Sequence, residues 1–288
     1  VSELKGGRAV VALAVLAALV AVTGVVKIAT NEPARARTLA ISPTTTAPRA
    51  TTTVPRPVAT TMSPAPTVPR RPAIVYEPRP VPFPALAVPV ETTLATPRGS
   101  IVTYAAPGGA PVGRVGTWYG VQLTLPVIAA QTGWLEIRLP WRPNGSTAWV
   151  SEDDVGLSTT SYFMAVSLSA TQLVVYQAGQ PIYDFPAGLG LPATPTPLGN
   201  FFVAIHESHP SAFYGPLILD TSGHSEALQH FDGEDDAIIA VHGPISASAD
   251  ARIGSTGARV SNGCIRLHNA DLARLAIIPP GTPLEIVP

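Results

Sequence analysis

Cys264 is the one cysteine in a chain of 288 residues. No intrachain disulfide and no multi-cysteine zinc cluster can be built from it. A solitary thiol can be an inert buried hydrophobe, one half of an intermolecular disulfide, or a nucleophile. Its setting, Ser261-Asn262-Gly263-Cys264-Ile265-Arg266-Leu267, points to the nucleophile. Glycine immediately before the thiol lets the backbone turn sharply and leaves amide groups to face a developing oxyanion. Arg266, two residues on, shares the thiol's side of an extended segment. There a guanidinium can lower the thiol pKa or hold a substrate carboxylate.

A thiol nucleophile needs a base, and the base needs an orienting group. Of six histidines, His242 stands out because it ends the apolar run Ile238-Ile239-Ala240-Val241 and is followed by Gly243. The end of a strand is a rigid place from which to aim a side chain. His206, His209, His224 and His230 lie in polar, loop-like stretches. His206-Glu207-Ser208-His209 is one residue short of the His-Glu-x-x-His zinc spacing, so no metal site is assigned. His268 is expected to bond locally.

These residues sit in a block, roughly 158–288, that reads as mostly β. Tyr162–Leu168, Leu173–Tyr176 and Ile182–Ala187 suggest a meander turning at Gln177-Ala178-Gly179. Phe201–Ile205, Ala237–Val241 and Thr282–Val287 are further strands. One short helix is expected over Ala270–Ala276, with Asn269 as N-cap and Pro279-Pro280-Gly281 as its stop. The preceding stretch, 97–157, carries short strands such as Ile101–Tyr104, Gly113–Val115, Trp134–Arg138 and Ala148–Val150. Glycine-rich turns punctuate them, which suggests a small barrel.

Upstream the composition changes. Ala9–Val26 is an uncharged apolar run of eighteen residues preceded by Lys5 and Arg8. As a helix it would span about 27 Å, enough to cross a bilayer, with its N-terminal end in the cytoplasm. Residues 1–30 are therefore expected to be a cytoplasmic tip and transmembrane anchor, the alternative being a cleaved signal and a secreted protein. Residues 31–98 hold fifteen prolines and thirteen threonines. Such a tract, with its boundary placed at 31–96, reads as a disordered to polyproline-like linker whose extended reach is on the order of 200 Å. Residues 1–98 carry eleven basic and four acidic groups, and residues 99–288 carry seven basic and fifteen acidic, for a net charge of −1. The balance gives no reason to expect nucleic-acid binding.

Taken together, His242-Gly243 and Ser261–Leu267 resemble the signature of the YkuD-type L,D-transpeptidases. Thr194-Pro195-Thr196-Pro197-Leu198-Gly199-Asn200-Phe201 is similar to that family's Thr-Pro-x-Gly-x-Phe segment. Tyr214-Gly215-Pro216 resembles its Gly-Pro element, and Arg266-Leu267-His268-Asn269-Ala270-Asp271 resembles the stretch entering its helix. The resemblance covers about 130 residues. Gly133-Trp134-Leu135-Glu136-Ile137 and Ala148-Trp149-Val150 resemble a bacterial SH3-like domain. Its aromatics, Trp118, Tyr119, Trp134, Trp141 and Trp149, offer a glycan or stem-peptide contact face, or else Trp134 and Trp149 fill the barrel core.

The first resemblance implies an extracytoplasmic cell-wall enzyme acting on peptidoglycan stem peptides, with no cofactor and no metal. Cys264 would be the nucleophile, His242 the base, and the Gly243 carbonyl the group that orients it. The amides of Asn262, Gly263 and Cys264 would form the oxyanion hole. Arg266, Ser261 and Tyr214 would serve the substrate or support the site. The reaction implied is a 3→3 cross-link through a thioester, and carbapenems would be expected to acylate the thiol. An L,D-carboxypeptidase that uses water as acceptor and a non-catalytic wall-binding protein are the rival readings. Asn262, Pro244 and the 22-residue separation of His242 from Cys264 depart from the commonest pattern of the family.

Overall fold

The structure is a computed structural model that describes residues 82–208, 213–231, 235–255 and 257–288. The apolar run Ala9–Val26 and the Pro/Thr-rich tract up to residue 81 lie outside the described residues. Among the described residues, no helix is long and apolar enough to cross a membrane. The described chain is mainly β, with a few very short helices.

The first sheet has seven strands in the order Pro111–Val115, Ile101–Tyr104, Thr147–Ser151, Trp134–Arg138, Leu125–Gln131, Thr92–Pro97 and Val155–Thr160. Pairing begins at Thr92, five residues before Pro97, with Thr92 opposite Thr160 and Pro97 opposite Val155. Threonine is β-branched and suits a strand, so the end of the Pro/Thr-rich tract belongs to the sheet. The Val155–Thr160 strand also runs unbroken across residue 157.

Strand alternation decides which side chains enter the core. Leu135, Ile137, Ala148 and Val150 point inward. Trp134 and Trp149 therefore point outward, where both are half-buried, and they do not fill the core. Trp134 meets Tyr104 edge to face with ring centroids 5.1 Å apart.

The second sheet has eight strands in the order Gln180–Pro186, Gln172–Gln177, Tyr162–Ser167, Pro283–Val287, Gly199–Glu207, Ile218–His224, Ile238–His242 and Ile265–Arg266. The first three are the expected meander. Two neighbouring pairs are parallel, Tyr162–Ser167 with Pro283–Val287 and Ile238–His242 with Ile265–Arg266. Around this sheet packs a core that includes Met164, Leu173, Phe185, Val241, Ile265, Leu267 and Leu272.

Gly199–Glu207 joins the two cores. Phe201 and Val203 face the second core, whereas Phe202 and Ala204 face the first. A bulge between Val203 and Ile205 turns Ile205 to the first core as well. A strand buried on both faces reads as a continuous apolar run, as Phe201-Phe202-Val203-Ala204-Ile205 does. Both sheets fall within one compact unit of the chain.

Two short α-helices occur among the described residues where one was expected. Ala247–Asp250 is capped by Ser246, whose Oγ accepts from the Ala249 amide at 3.2 Å. Four residues are too few to show helical periodicity. The other helix, Asn269–Leu272, continues as a 3₁₀ turn over Ala273–Ile277. His268, and not Asn269, occupies its cap position, without a side-chain cap bond. Asn269 is already helical, and its Oδ1 packs against the backbone of Gly215 and Gly243.

Candidate active site

The parallel pair Ile238–His242 and Ile265–Arg266 brings the two motifs together. Its register sets Val241 opposite Ile265 and His242 opposite Arg266. Val241 and Ile265 point into the core. Alternation then turns Ile238, Ala240 and His242 to the other face, where they line a cavity of about 590 Å³ with Cys264 and Arg266. Residues 22 positions apart in sequence thus share one wall because their strands are neighbours. Cys264 is partly exposed to this cavity, and its Sγ lies 3.8 Å from the carbonyl oxygen of Ile238.

His242 is 3% exposed, and its Nδ1 donates to the Gly243 carbonyl at 2.7 Å. Gly243 is itself fixed, because its amide donates to the Tyr214 carbonyl at 2.7 Å. The Tyr214 ring meets the His242 ring edge to face, with centroids 5.0 Å apart. Burial pushes the His242 pKa down to about 4. The Gly243 hydrogen bond opposes that shift and the Arg266 charge adds to it.

Arg266 had two candidate roles beside Cys264, to lower the thiol pKa or to hold a substrate carboxylate, and its charge does pull the thiol down. Burial outweighs that pull and pushes the thiol up, and a nearby Asp220 carboxylate adds to the rise. A hydrogen bond from the Ala240 backbone and the charge of Arg266 only partly offset it. At neutral pH the pair is therefore a thiol and a neutral imidazole.

The loop before the thiol is held from within. Gly263 has φ +125°, and its amide donates to Ser261 Oγ at 3.2 Å. Ser261 Oγ in turn donates to the Cys264 carbonyl at 2.6 Å. Ser261 is 2% exposed, and its hydroxyl braces the loop. The Gly263 amide is engaged in the same way, which leaves Asn262 and Cys264 as the amide donors of the expected set. Thr196 braces the loop from below, its Oγ1 donating to the Gly263 carbonyl at 2.7 Å and accepting from the Gly190 amide at 2.9 Å. Thr194 Oγ1 reaches Asn262 Oδ1 at 3.4 Å. The Thr194–Phe201 motif thus acts through this support.

Arg266 is 8% exposed and donates from Nη1 to the Val260 carbonyl at 2.7 Å. Its Nε is buried without a hydrogen-bond partner among the described residues. A buried donor of this kind beside the thiol can meet a negative oxygen on a bound molecule.

Asp220 is a site residue that sequence reasoning missed. It lines the same cavity, and burial together with the charge of Glu207 pushes its carboxyl up to about 7. The signal for it was a lone acid within the apolar run Ile218-Leu219-Asp220. Tyr119, from the first sheet's part of the chain, also lines the cavity. The remaining histidines lie elsewhere in the bonding. His206 Nδ1 meets the Ile278 carbonyl at 2.9 Å, and His268 Nδ1 meets Asp250 Oδ1 at 2.7 Å. His209 lies outside the described residues.

Residues 161–286 match the family model of the YkuD L,D-transpeptidase catalytic domain. The YkuD protein of Bacillus licheniformis is 33% identical over 131 residues, covering 45% of this chain and 68% of the relative. That of Bacillus subtilis is 31% identical over 129 residues, covering 44% and 67%. Among solved structures, an L,D-transpeptidase from Mycobacterium smegmatis is 16% identical with a TM-score of 0.36, covering 68% of this chain and 98% of that one. L,D-transpeptidase 3 from Mycobacterium tuberculosis, solved with a faropenem-derived adduct, is 16% identical with a TM-score of 0.34, covering 67% and 95%. On the two Bacillus relatives, with the Cys264 and His242 segments falling inside the matched region, the chain belongs to the YkuD family of L,D-transpeptidases.

Proposed function

We propose that this protein forms 3→3 cross-links in peptidoglycan, with Cys264 as nucleophile and His242 as general base. The observation that carries the reading is that the parallel pairing of Ile238–His242 with Ile265–Arg266 sets His242 beside the segment that Cys264 leads into, both residues lining one cavity, with His242 Nδ1 held by the Gly243 carbonyl. That hydrogen bond leaves Nε2 as the basic nitrogen.

Nε2 takes the thiol proton as sulfur attacks the carbonyl of the third residue of a tetrapeptide stem. The oxyanion draws on the amides of Asn262 and Cys264, with the Arg266 guanidinium near. Collapse expels D-alanine, whose amine takes the proton back from His242, and a thioester remains. An amine of a second stem then attacks the thioester and regenerates the thiol. The Gly243 carbonyl fills the orienting role of the third member of a triad, and Tyr214 packs on the imidazole and helps to shape the cleft.

D-alanine release from a tetrapeptide stem by the full chain tests this, with intact-protein mass spectrometry for the thioester. Cys264→Ala should abolish both signals, and His242→Ala should lose at least about 100-fold in rate. Near wild-type turnover by either variant would sink the assignment. Mass spectra of the products decide between an amine and water as acceptor. A carbapenem adduct is expected on Cys264, and an adduct on any other residue would contradict the nucleophile.

The upstream segments complete the proposal. Ala9–Val26 anchors the protein in the membrane with everything after Lys27 outside, and the Pro/Thr-rich tract is a tether. Fractionation that left the full chain entirely in the soluble pool would overturn the anchor. The seven-stranded module is SH3-like, and its outward Tyr104–Trp134 pair supports a glycan or stem-peptide contact. Undiminished binding of isolated peptidoglycan after Trp134→Ala would remove that contact.

A further inference from the structure

We propose that Arg142 is a positioning residue of the substrate cleft: it holds the Ser225–Phe231 wall, so that the first β module is a working part of the active site, and Tyr119 of that module touches the substrate. This rests on the reaction proposed above but concerns residues outside its chemistry.

Three kinds of contact carry it. Arg142 reaches across from the first module and binds the second at three points. Its Nε and Nη2 lie 3.0 and 2.8 Å from Asp236 Oδ1, Nη1 donates to the Ser225 carbonyl at 2.9 Å, and Nη2 donates to the Leu228 carbonyl at 3.0 Å. Asn144 adds a reciprocal pair, Nδ2 donating to the His224 carbonyl at 2.8 Å and Oδ1 accepting from its amide at 2.9 Å. His224 is buried between the modules, with Nε2 3.1 Å from the Pro140 carbonyl and Nδ1 2.8 Å from Asp236 Oδ2.

The residues so held are cavity walls. Ser225, Leu228 and Asp236 all line the cavity that contains Cys264 and His242, and Phe231, three residues on from Leu228, lines it too. A planar guanidinium joined to a carboxylate and two carbonyls fixes direction as well as distance. Tyr119 completes the wall from the module's side. It sits at φ +48°, a conformation that non-glycine residues rarely adopt, is 59% exposed, and lines the cavity. Trp118 lies against it with centroids 5.1 Å apart and also meets the His224 ring at 6.3 Å. An exposed aromatic ring held in strained backbone at the rim of a cleft suits contact with a bound stem.

Arg142 bonds to Asp236, Ser225 and Leu228 and not to Cys264, His242 or Gly243. The wall's contribution should therefore appear in binding of the stem and not in the chemical step. The test uses the full chain, with hydrogen exchange over residues 225–231, steady-state D-alanine release, and iodoacetamide alkylation of Cys264. Arg142→Ala should speed exchange in 225–231 and raise KM by about tenfold or more, as loss of charge-assisted bonds implies. kcat and the alkylation rate should stay within about twofold. Arg142→Lys keeps the charge but not the fork, so its KM should fall between the two. Tyr119→Ala should raise KM without altering exchange.

Unchanged exchange and KM in Arg142→Ala would overturn the proposal, as would a parallel loss of kcat and alkylation, which marks general loosening. If Arg142→Ala does not fold, Arg142→Lys and Tyr119→Ala decide by the same readouts. A wild-type chain that releases no D-alanine defeats the proposed reaction, whereas the exchange measurement still decides whether Arg142 holds the wall.

Discussion

His242 Nδ1 lies 2.7 Å from the carbonyl oxygen of the next residue, Gly243. A carbonyl only accepts, so Nδ1 carries the hydrogen and the lone pair is on Nε2. The base is therefore oriented by its own chain neighbour, whose peptide is in turn fixed by the Tyr214 carbonyl.

The first prediction follows from the charge state of this pair. With His242 near 4 and the Cys264 thiol above its ordinary value, the resting site holds no thiolate–imidazolium pair at pH 7. Alkylation of Cys264 by iodoacetamide should keep rising past pH 9, without a plateau at neutral pH. The acid limb of kcat/KM should lie near 4 and not near 6.5. The depressed His242 pKa also has a stability consequence. Between pH 6.5 and 4 the unfolded chain binds a proton that the folded chain refuses, so stability from this group is lost as pH falls through that window. A plateau of thiol reactivity near pH 7 would establish an ion pair instead.

A second prediction concerns Asp220. From the neighbouring strand, where it pairs with Ala240, its carboxylate raises the Cys264 pKa and is itself raised to about 7. Asp220→Asn removes that charge while keeping the shape. The pH curve for Cys264 alkylation should shift to lower pH. No shift, or a shift upward, would show that the carboxylate does not act on the thiol.

Much of this arrangement was legible in the chain. The strands at Ile101–Tyr104 and Trp134–Arg138 have the bounds that alternation gives. Cys264 and His242 stood out by residue type and neighbours. Other features depended on tertiary partners. Thr92–Pro97 hid in a proline- and threonine-rich tract because only its pairing with Val155–Thr160 makes it a strand. Trp134 was open to two readings, a contact face or the barrel core, because a large amphipathic ring suits both, and the buried Leu135 beside it fixes the outward parity. That Arg266 could lower the thiol pKa was legible from spacing, but how far burial outweighs it depends on side chains distant in sequence. Tyr119 and Arg142 carry no motif, and their place at the cavity follows only from how the modules pack.

The third prediction tests the orienting peptide. A Cβ on Gly243 would collide with Asn269 Oδ1 and lie 2.9 Å from the Tyr214 carbonyl. Neither contact can be kept, and the second belongs to backbone. Gly243→Ala should therefore push this peptide away from Tyr214 and turn the carbonyl that holds His242. Overpacking of this kind costs about 1–3 kcal/mol. The denaturation midpoint should drop accordingly, and D-alanine release should fall more steeply than stability alone explains. A variant with wild-type turnover would show that the carbonyl does not orient the base.

The last prediction concerns the support beneath the thiol. Thr196 is 3% exposed, and its hydroxyl accepts from the Gly190 amide and donates to the Gly263 carbonyl. Thr196→Val has nearly the same volume but leaves both backbone groups without that partner. Each buried group so left costs about 1–3 kcal/mol. The damage should be local, because Gly263 precedes the thiol and its φ of +125° is held only by its surroundings. Thr196→Val should thus lower the denaturation midpoint and slow thioester formation on Cys264. Thr196→Ser, which keeps the hydroxyl, should retain most of the acylation rate despite losing a buried methyl group. If Thr196→Ser is as slow as Thr196→Val, the methyl packing and not the hydroxyl holds the loop. If Thr196→Val acylates at the wild-type rate, the Gly263 carbonyl needs no support from this side.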